Sequence, residues 1–268
     1  MLETDDMNGL QELSASTYPS SPMRAPAADA GIRGTFRGAN TLRTSQSGLP
    51  LYFRDGMPVL PSMSARQGVE LSLKRLFDVV GSAVALIVLL PFFAVVAVAI
   101  KMTSPGPAFF IQEREGLNGR RFRCIKFRSM HVERGDASGV EQTVKDDPRV
   151  FALGRLIRRT SIDELPQLIN VLRGEMSLVG PRPHVPGMRA GGVLYRDLVP
   201  YYDTRLVVVP GLTGWAQVNG LRGPTDNADL ARTRVDHDIA YVANYSLWLD
   251  AKIVLKTLAT EFVSGSGH

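Results

Sequence analysis

The sequence predicts an α+β protein that is mostly helical, carries a small β element and associates with a membrane through a re-entrant N-terminal helix. Three observations lead there. The segment from Leu76 to Ile100 is apolar and holds a single charge, Asp78, and a run of that length and composition marks a membrane helix. Hairpin punctuation follows it, and beyond that most of the chain shows helical periodicity. With 44% apolar and 21% charged side chains among 268 residues, there is enough apolar surface for a real core, which excludes wholesale disorder.

Residues 1–70 contain six prolines and many Ser, Thr, Gly and Ala, with no apolar run long enough to pack as an element, and they read as a disordered arm. Met1 to Asp6 is acidic and no apolar run follows, so the order of a secretory signal is missing.

Residues 71–102 form the membrane helix. The 25 residues from Leu76 would reach roughly 37 Å as a straight helix, enough to cross a hydrocarbon core of about 30 Å. Two features favour a bent, re-entrant helix over a spanning one. Pro91 removes a backbone hydrogen bond past the midpoint. Basic residues also flank both ends, with Lys74 and Arg75 before the segment and Lys101, Arg114, Arg120 and Arg121 after it, and such flanks prefer the cytoplasmic side.

Residues 103–263 read as a water-facing domain of mixed structure. Ala108 to Gln112 and Arg121 to Phe127 are strands joined near the hairpin dipeptide Asn118-Gly119. Val150 to Arg159 is an amphipathic helix with a basic face, and a second helix starts near Ser161 and runs to about Arg173. Met176 to Val179 is extended, and Arg205 to Val209 is β-rich before the turn at Pro210-Gly211. A single long helix covers Asp236 to about Phe262, with most of Tyr241, Tyr245 and Trp248 placed in the core.

The basic excess is local. Of a net charge of +5, all five positive charges are accounted for by residues 101–182, where fifteen basic side chains face ten acidic ones. Within this stretch Ser161-Ile162-Asp163-Glu164 supports two readings. One is a capping box, with Ser161 capping the helix and Glu164 returning the hydrogen bond. The other is chemical: adjacent carboxylates after Arg158-Arg159 suit metal-assisted attack on a phosphate, one as nucleophile and its neighbour on magnesium. Pro181-Arg182-Pro183 presents one guanidinium on a stiff loop, suited to phosphate. Lys126 and Arg128 end a strand, and Asp238 is either a solvated helix charge or a further carboxylate near the metal.

There is no Walker A sequence, G-x-G-x-x-G, G-x-S-x-G or H-E-x-x-H. A single cysteine, Cys124, and four histidines at spacings foreign to zinc sites exclude disulfide scaffolds and Cys/His metal folds. The arginines interleave with carboxylates beside a membrane segment, which favours lipid and nucleotide phosphates over nucleic acid as partners.

Several strings resemble the bacterial sugar transferase family, the monotopic phosphoglycosyl transferases, in the right order from about Leu73 to Leu258. They are Lys74-Arg75-Leu76-Phe77-Asp78, Lys126-Phe127-Arg128-Ser129-Met130, Asp147-Pro148-Arg149-Val150, Arg158 through Gln167, Gly174 through Pro183 and Pro210 through Gly214. The resemblance implies transfer of a hexose-1-phosphate from a UDP-sugar to undecaprenyl phosphate, with magnesium, releasing UMP and starting an exopolysaccharide or capsule. By motif position Asp163 is the nucleophile, Glu164 the magnesium ligand, and Arg158, Arg182, Lys126, Arg128 and Asp238 contact substrate. It also implies a catalytic domain on the cytoplasmic face of the bacterial inner membrane. Gly214 through Gly220, with Arg222-Gly223 and Thr225, resembles members that use UDP-glucose; galactose and N-acetylated sugars are the alternative donors. The family often has Ser-Pro at the helix break where this chain has Leu90-Pro91. A membrane-tethered binding protein without catalysis is the competing reading.

Overall fold

The computed structural model describes residues 41–44, 48–61, 65–134, 142–144 and 146–264. Residues 1–40 of the expected arm lie outside them, but its later part departs from the disorder expected over 1–70. Strands β1 (Thr41–Thr44), β2 (Pro50–Arg54) and β3 (Met57–Pro58) make an antiparallel sheet in that order. Asp55-Gly56, both at positive φ, turns β2 into β3 with Arg54 opposite Met57. Leu51 and Phe53 point to one face and are buried against Val235, Ile239 and Ala240. Two alternating apolar side chains and an Asp-Gly turn thus anchor a segment whose composition is that of a linker.

Helix α1 (Ala65–Thr103) starts before the expected residue 71 and continues as helix through Pro91. Its span of about 58 Å follows from 39 residues at 1.5 Å each. Near its start three polar side chains fasten it to the rest of the protein. Lys74 Nζ donates to the Val179 carbonyl at 2.9 Å and pairs with Asp250 at 2.6 Å. The Arg75 guanidinium donates to the carbonyls of Val171 and Leu172, at 2.6 and 2.9 Å. Asp78 accepts the Leu178 N–H at 2.9 Å. Near its end Phe93, Val96 and Ile100 are buried against Phe127, Phe151 and Ile157. The outward side is apolar and bare, with Ile87 74% and Leu90 66% exposed. It is the one helix among the described residues long and apolar enough to cross a membrane.

The expected hairpin is present. Strands β4 (Phe109–Glu115) and β5 (Arg121–Phe127) pair from Phe109 opposite Phe127 to Glu115 opposite Arg121, and Asn118 and Gly119 adopt positive φ between them. Helix α2 (Ala152–Arg159) abuts the residues after β5: a Cβ on Gly154 would lie 2.0 Å from the Ser129 carbonyl oxygen, so only glycine allows this approach. A short 3-10 segment, Ile162–Gln167, leads into α3 (Leu168–Arg173). Strand β6 (Ser177–Val179) follows, and a small hairpin of β7 (Arg189–Ala190) and β8 (Val193–Leu194) precedes α4 (Tyr195–Leu198). Strand β9 (Gly211–Thr213) lies parallel to β6, and α5 (Trp215–Val218), α6 (Ala228–Ala243) and α7 (Leu247–Ser264) complete the order.

Two sequence expectations fail here for tertiary reasons. The β-rich run Arg205 to Val209 begins inside a 3-10 segment, Tyr202–Val207, because Arg205 and Leu206 are drawn into the interior. The single terminal helix is two. Asn244 Nδ2 donates to the carbonyls of Pro50 and Ala240, and Ser246 Oγ accepts the Leu249 N–H, so polar side chains end α6 and start α7. Of the three aromatic residues, Tyr241 is buried while Trp248 is 78% exposed.

Candidate active site

Asp163 and Glu164 lie in the 3-10 segment that joins α2 to α3, yet their environments differ. The capping-box reading fails: Ser161 sits at φ +53 and its side chain caps nothing. The Glu164 carboxylate is taken instead by two cations. Lys126 Nζ lies 2.8 Å from Oε1, and Arg182 engages both oxygens, Nη1 at 2.9 Å from Oε2 and Nη2 on Oε1. Burial alone would raise the Glu164 carboxyl, but Arg182 and Lys126 hold it well below the usual range. Asp163 is 7% exposed and accepts no hydrogen bond among the described residues. Burial, and then the neighbouring Glu164 charge, push its carboxyl up to about 6, against the pull of Lys126, Arg158 and Arg182. An ionised carboxylate in that setting is unshielded by partners and more basic than a surface aspartate, which are the properties of a nucleophile.

Local structure brings the cations to this point. Lys126 is placed by Asn170 of α3, whose side-chain amide pairs with β5 like a neighbouring strand: Oδ1 accepts the Ile125 N–H at 3.0 Å and Nδ2 donates to the Arg123 carbonyl at 2.8 Å. Arg182 stands on a loop whose carbonyls are nearly all engaged. Val179 accepts from Lys74 and Tyr241, Pro181 from the Gly211 N–H, Arg182 from Arg205, Pro183 from Arg114 and His184 from the Glu115 N–H. A loop tied at that many points presents the Arg182 guanidinium to Glu164 with little freedom. Arg158 approaches from α2, donating to Thr143 Oγ1 at 2.8 Å and Ser129 Oγ at 3.4 Å.

Residues 69–264 match the bacterial sugar transferase family. The chain belongs to that family. It is 52% identical over 199 residues to the exopolysaccharide production protein PSS of Rhizobium leguminosarum bv. phaseoli, an alignment covering 74% of this chain and 100% of the relative. It is 51% identical over 191 residues to an undecaprenyl-phosphate glucose phosphotransferase of Komagataeibacter xylinus, covering 71% of this chain but only 36% of that protein. A UDP-glucose:undecaprenyl-phosphate glucose-1-phosphate transferase of Caulobacter vibrioides is 50% identical over 195 residues, with 73% and 72% covered.

Within this sugar transferase the structure gathers Lys126, Arg158 and Arg182 around the two carboxylates and directs two other expected substrate contacts elsewhere. Arg128 is buried, and its guanidinium donates to the carbonyls of Pro107 and Ser104 and to Ser104 Oγ, at 2.5, 2.7 and 2.8 Å. It staples the turn that follows α1 to the end of β5, with the side chain buried away from the dyad's solvent-facing side chains. Asp238, 2% exposed, pairs with Arg205 through Oδ2 at 2.9 and 2.7 Å, and Arg205 in turn holds the Arg182 carbonyl. One turn along α6, Tyr241 donates to Asp250 at 2.7 Å and contacts the Val179 carbonyl at 3.3 Å. Asp238, through Arg205, and Tyr241 therefore grip both ends of the Val179 to Arg182 strip from behind. Sequence reasoning missed Arg205 and Asn170, because a lone arginine in an apolar run and a lone asparagine in a helix carry no local signal of their distant partners.

Among the described residues no three His, Cys, Asp or Glu side chains converge as a protein-only metal cage. The transferase offers instead two adjacent carboxylates, one partnered and one not. That suits magnesium, which takes one or two carboxylates and fills its remaining positions with water and phosphate oxygens.

Proposed function

We propose that this transferase moves glucose-1-phosphate from UDP-glucose to undecaprenyl phosphate, releasing UMP, at the start of exopolysaccharide synthesis. The observation that carries the chemistry is the contrast within the dyad: a buried carboxylate without a hydrogen-bond partner among the described residues, beside one clamped by two cations. The relatives' names supply donor and acceptor. In the first half-reaction an Asp163 oxygen attacks the β-phosphorus of the donor, and the bond from that phosphorus to the bridging oxygen breaks. UMP leaves with the electron pair, and a phosphosugar-aspartyl ester remains. In the second, a phosphate oxygen of the acceptor attacks the same phosphorus and frees the Asp163 carboxylate. Arg182, Lys126 and Arg158 stabilise charge on the phosphates as it shifts from the bridge to UMP. When bound, magnesium would neutralise the diphosphate and be held by Glu164.

The proposal places the membrane helix on one side of the bilayer, re-entrant and not spanning, with the catalytic domain cytoplasmic. The attachments at Lys74 to Asp78 and at Phe93 to Ile100 support it. Both stretches of α1 lie against the same domain, whose polar surface a crossing helix would drag into hydrocarbon. The bare apolar side between them then faces lipid and brings Asp163 to the level of the acceptor's phosphate.

Intact mass of the detergent-solubilised protein tests the chemistry, after addition of UDP-glucose and magnesium without acceptor. A gain of one hexose phosphate in the wild type and none in Asp163→Asn is expected. If neither an adduct nor, with acceptor present, UMP appears from UDP-glucose, UDP-galactose or UDP-N-acetylgalactosamine, the binding-protein reading replaces this one.

A further inference from the structure

Resting on the transferase reading, we propose that the cavity between the segment at Gln142, the β7–β8 turn and the segment at Thr225 is the subsite that reads the donor's hexose. Its volume of about 250 Å³ contrasts with the gap between Arg114, Lys126 and Arg182, which at about 10 Å³ admits a single water. That gap has no room for a ring, whereas the larger cavity does.

The cavity adjoins the dyad through one residue. Arg158, whose charge acts on Asp163, donates to Thr143 Oγ1 on the cavity wall at 2.8 Å. A diphosphate held at Arg158 and Arg182 therefore has a cavity at one end, on the Arg158 side.

The wall chemistry selects the occupant. Among the described residues no aromatic ring lines it to stack on a pyrimidine base. A carboxylate, Asp226, faces it, which opposes a phosphate. Its polar groups are those that recognise hydroxyls: a carboxylate, a guanidinium and backbone amides. The framework is also rigid. Gln142 Oε1 accepts the Thr225 N–H at 2.9 Å, Gln142 Nε2 donates to the Arg189 carbonyl at 3.1 Å, and Thr225 Oγ1 donates to the same carbonyl at 2.9 Å. Gln142 Nε2 also donates to Thr225 Oγ1, so the side-chain donors of Gln142 and Thr225 are occupied and the three wall segments are stitched together. What remains for a ligand is Asp226, exposed and without a hydrogen bond among the described residues, and Arg189, exposed and bonded only weakly to Gly192 at 3.4 Å. Gly192, at φ +84, has open space where a Cβ would stand, so a ligand can approach its backbone.

The test uses the full chain with undecaprenyl phosphate, and compares wild type with Asp226→Ala and Arg189→Gln. Both side chains are exposed, so the fold should tolerate either change. Loss of a charge-assisted hydrogen bond to a sugar hydroxyl predicts a rise of about tenfold or more in KM for UDP-glucose. The kcat/KM ratio of UDP-glucose to UDP-galactose should change, while inhibition by UMP stays within about twofold, since UMP carries no hexose. Unchanged KM and unchanged sugar ratio in both variants would overturn the proposal. So would a parallel loss of UMP inhibition, which would make the cavity a nucleoside site. Absence of UMP release by the wild type from any UDP-sugar is a separate result that removes the transferase reading itself.

Discussion

The cluster around Glu164 and the cluster around Asp238 are both made of carboxylates and arginines, but one is open and the other sealed. In the sealed cluster Arg205 and Asp238 are 1% and 2% exposed, and the guanidinium spends its donors on the carboxylate and the Arg182 carbonyl. In the open one Arg182 is 39% exposed, and Asp163 next to Glu164 has no partner at all among the described residues. A sealed pair in low dielectric locks a shape, because removing either member strands a charge. An open group with an unmatched carboxylate beside its clamped neighbour is costly to hold ready, and that cost is what a reaction centre requires. The sealed cluster holds the backbone from which the open one projects.

The largest effect that could break this contrast is on stability. Asp238→Ala should destabilise the fold by about 3 to 5 kcal/mol in chemical denaturation, because it leaves Arg205 buried and unpaired. The double change Arg205→Met with Asp238→Leu should recover much of that loss, yet still weaken the donor's KM, since Arg182 loses its backbone anchor. Recovery of both stability and KM would show that the sealed pair does not position Arg182.

Next in size, Lys126→Gln should lower kcat/KM by about 10- to 100-fold, the worth of a charge-assisted hydrogen bond. Its effect on Tm should be small. A large Tm loss with intact turnover would make the open cluster structural after all.

Asp163 sharpens the comparison through pH. Its carboxyl rises from 3.8 to about 6 in the fold, so ionising it opposes folding. The associated stability is present below about pH 4 and is lost as pH climbs through 6. Asp163→Asn should therefore stabilise the protein by about 1 to 2 kcal/mol at pH 7.5 and by little at pH 4, measured by denaturation at both values. Activity needs the ionised form, so kcat/KM of the wild type should fall as pH drops below about 6.

The smallest effect is expected at Ser161. A capping serine replaced by alanine costs about 0.5 to 2 kcal/mol. Here Ser161→Ala should fall below that range, and Ser161→Gly should stabilise slightly by relieving the positive φ.

Patterns that act over a few residues were readable from the chain. The apolar run of α1, the Asn118-Gly119 turn, the amphipathic α2 and the Asp163-Glu164 pair in its string all follow from periodicity or from resemblance. The β2–β3 turn was equally local but lay hidden in a proline-rich composition. Tertiary structure alone decided that Glu164 faces Lys126 and Arg182 and not the N–H of Ser161, and that Asp163 has no hydrogen-bond partner among the described residues. It also decided that Arg128 and Asp238 serve the scaffold, and that Arg205 leaves a β-rich run to reach α6. The physical reason is the same in each case. A charged side chain's role depends on which opposite charges and how much water surround it, and those are set by residues tens of positions away.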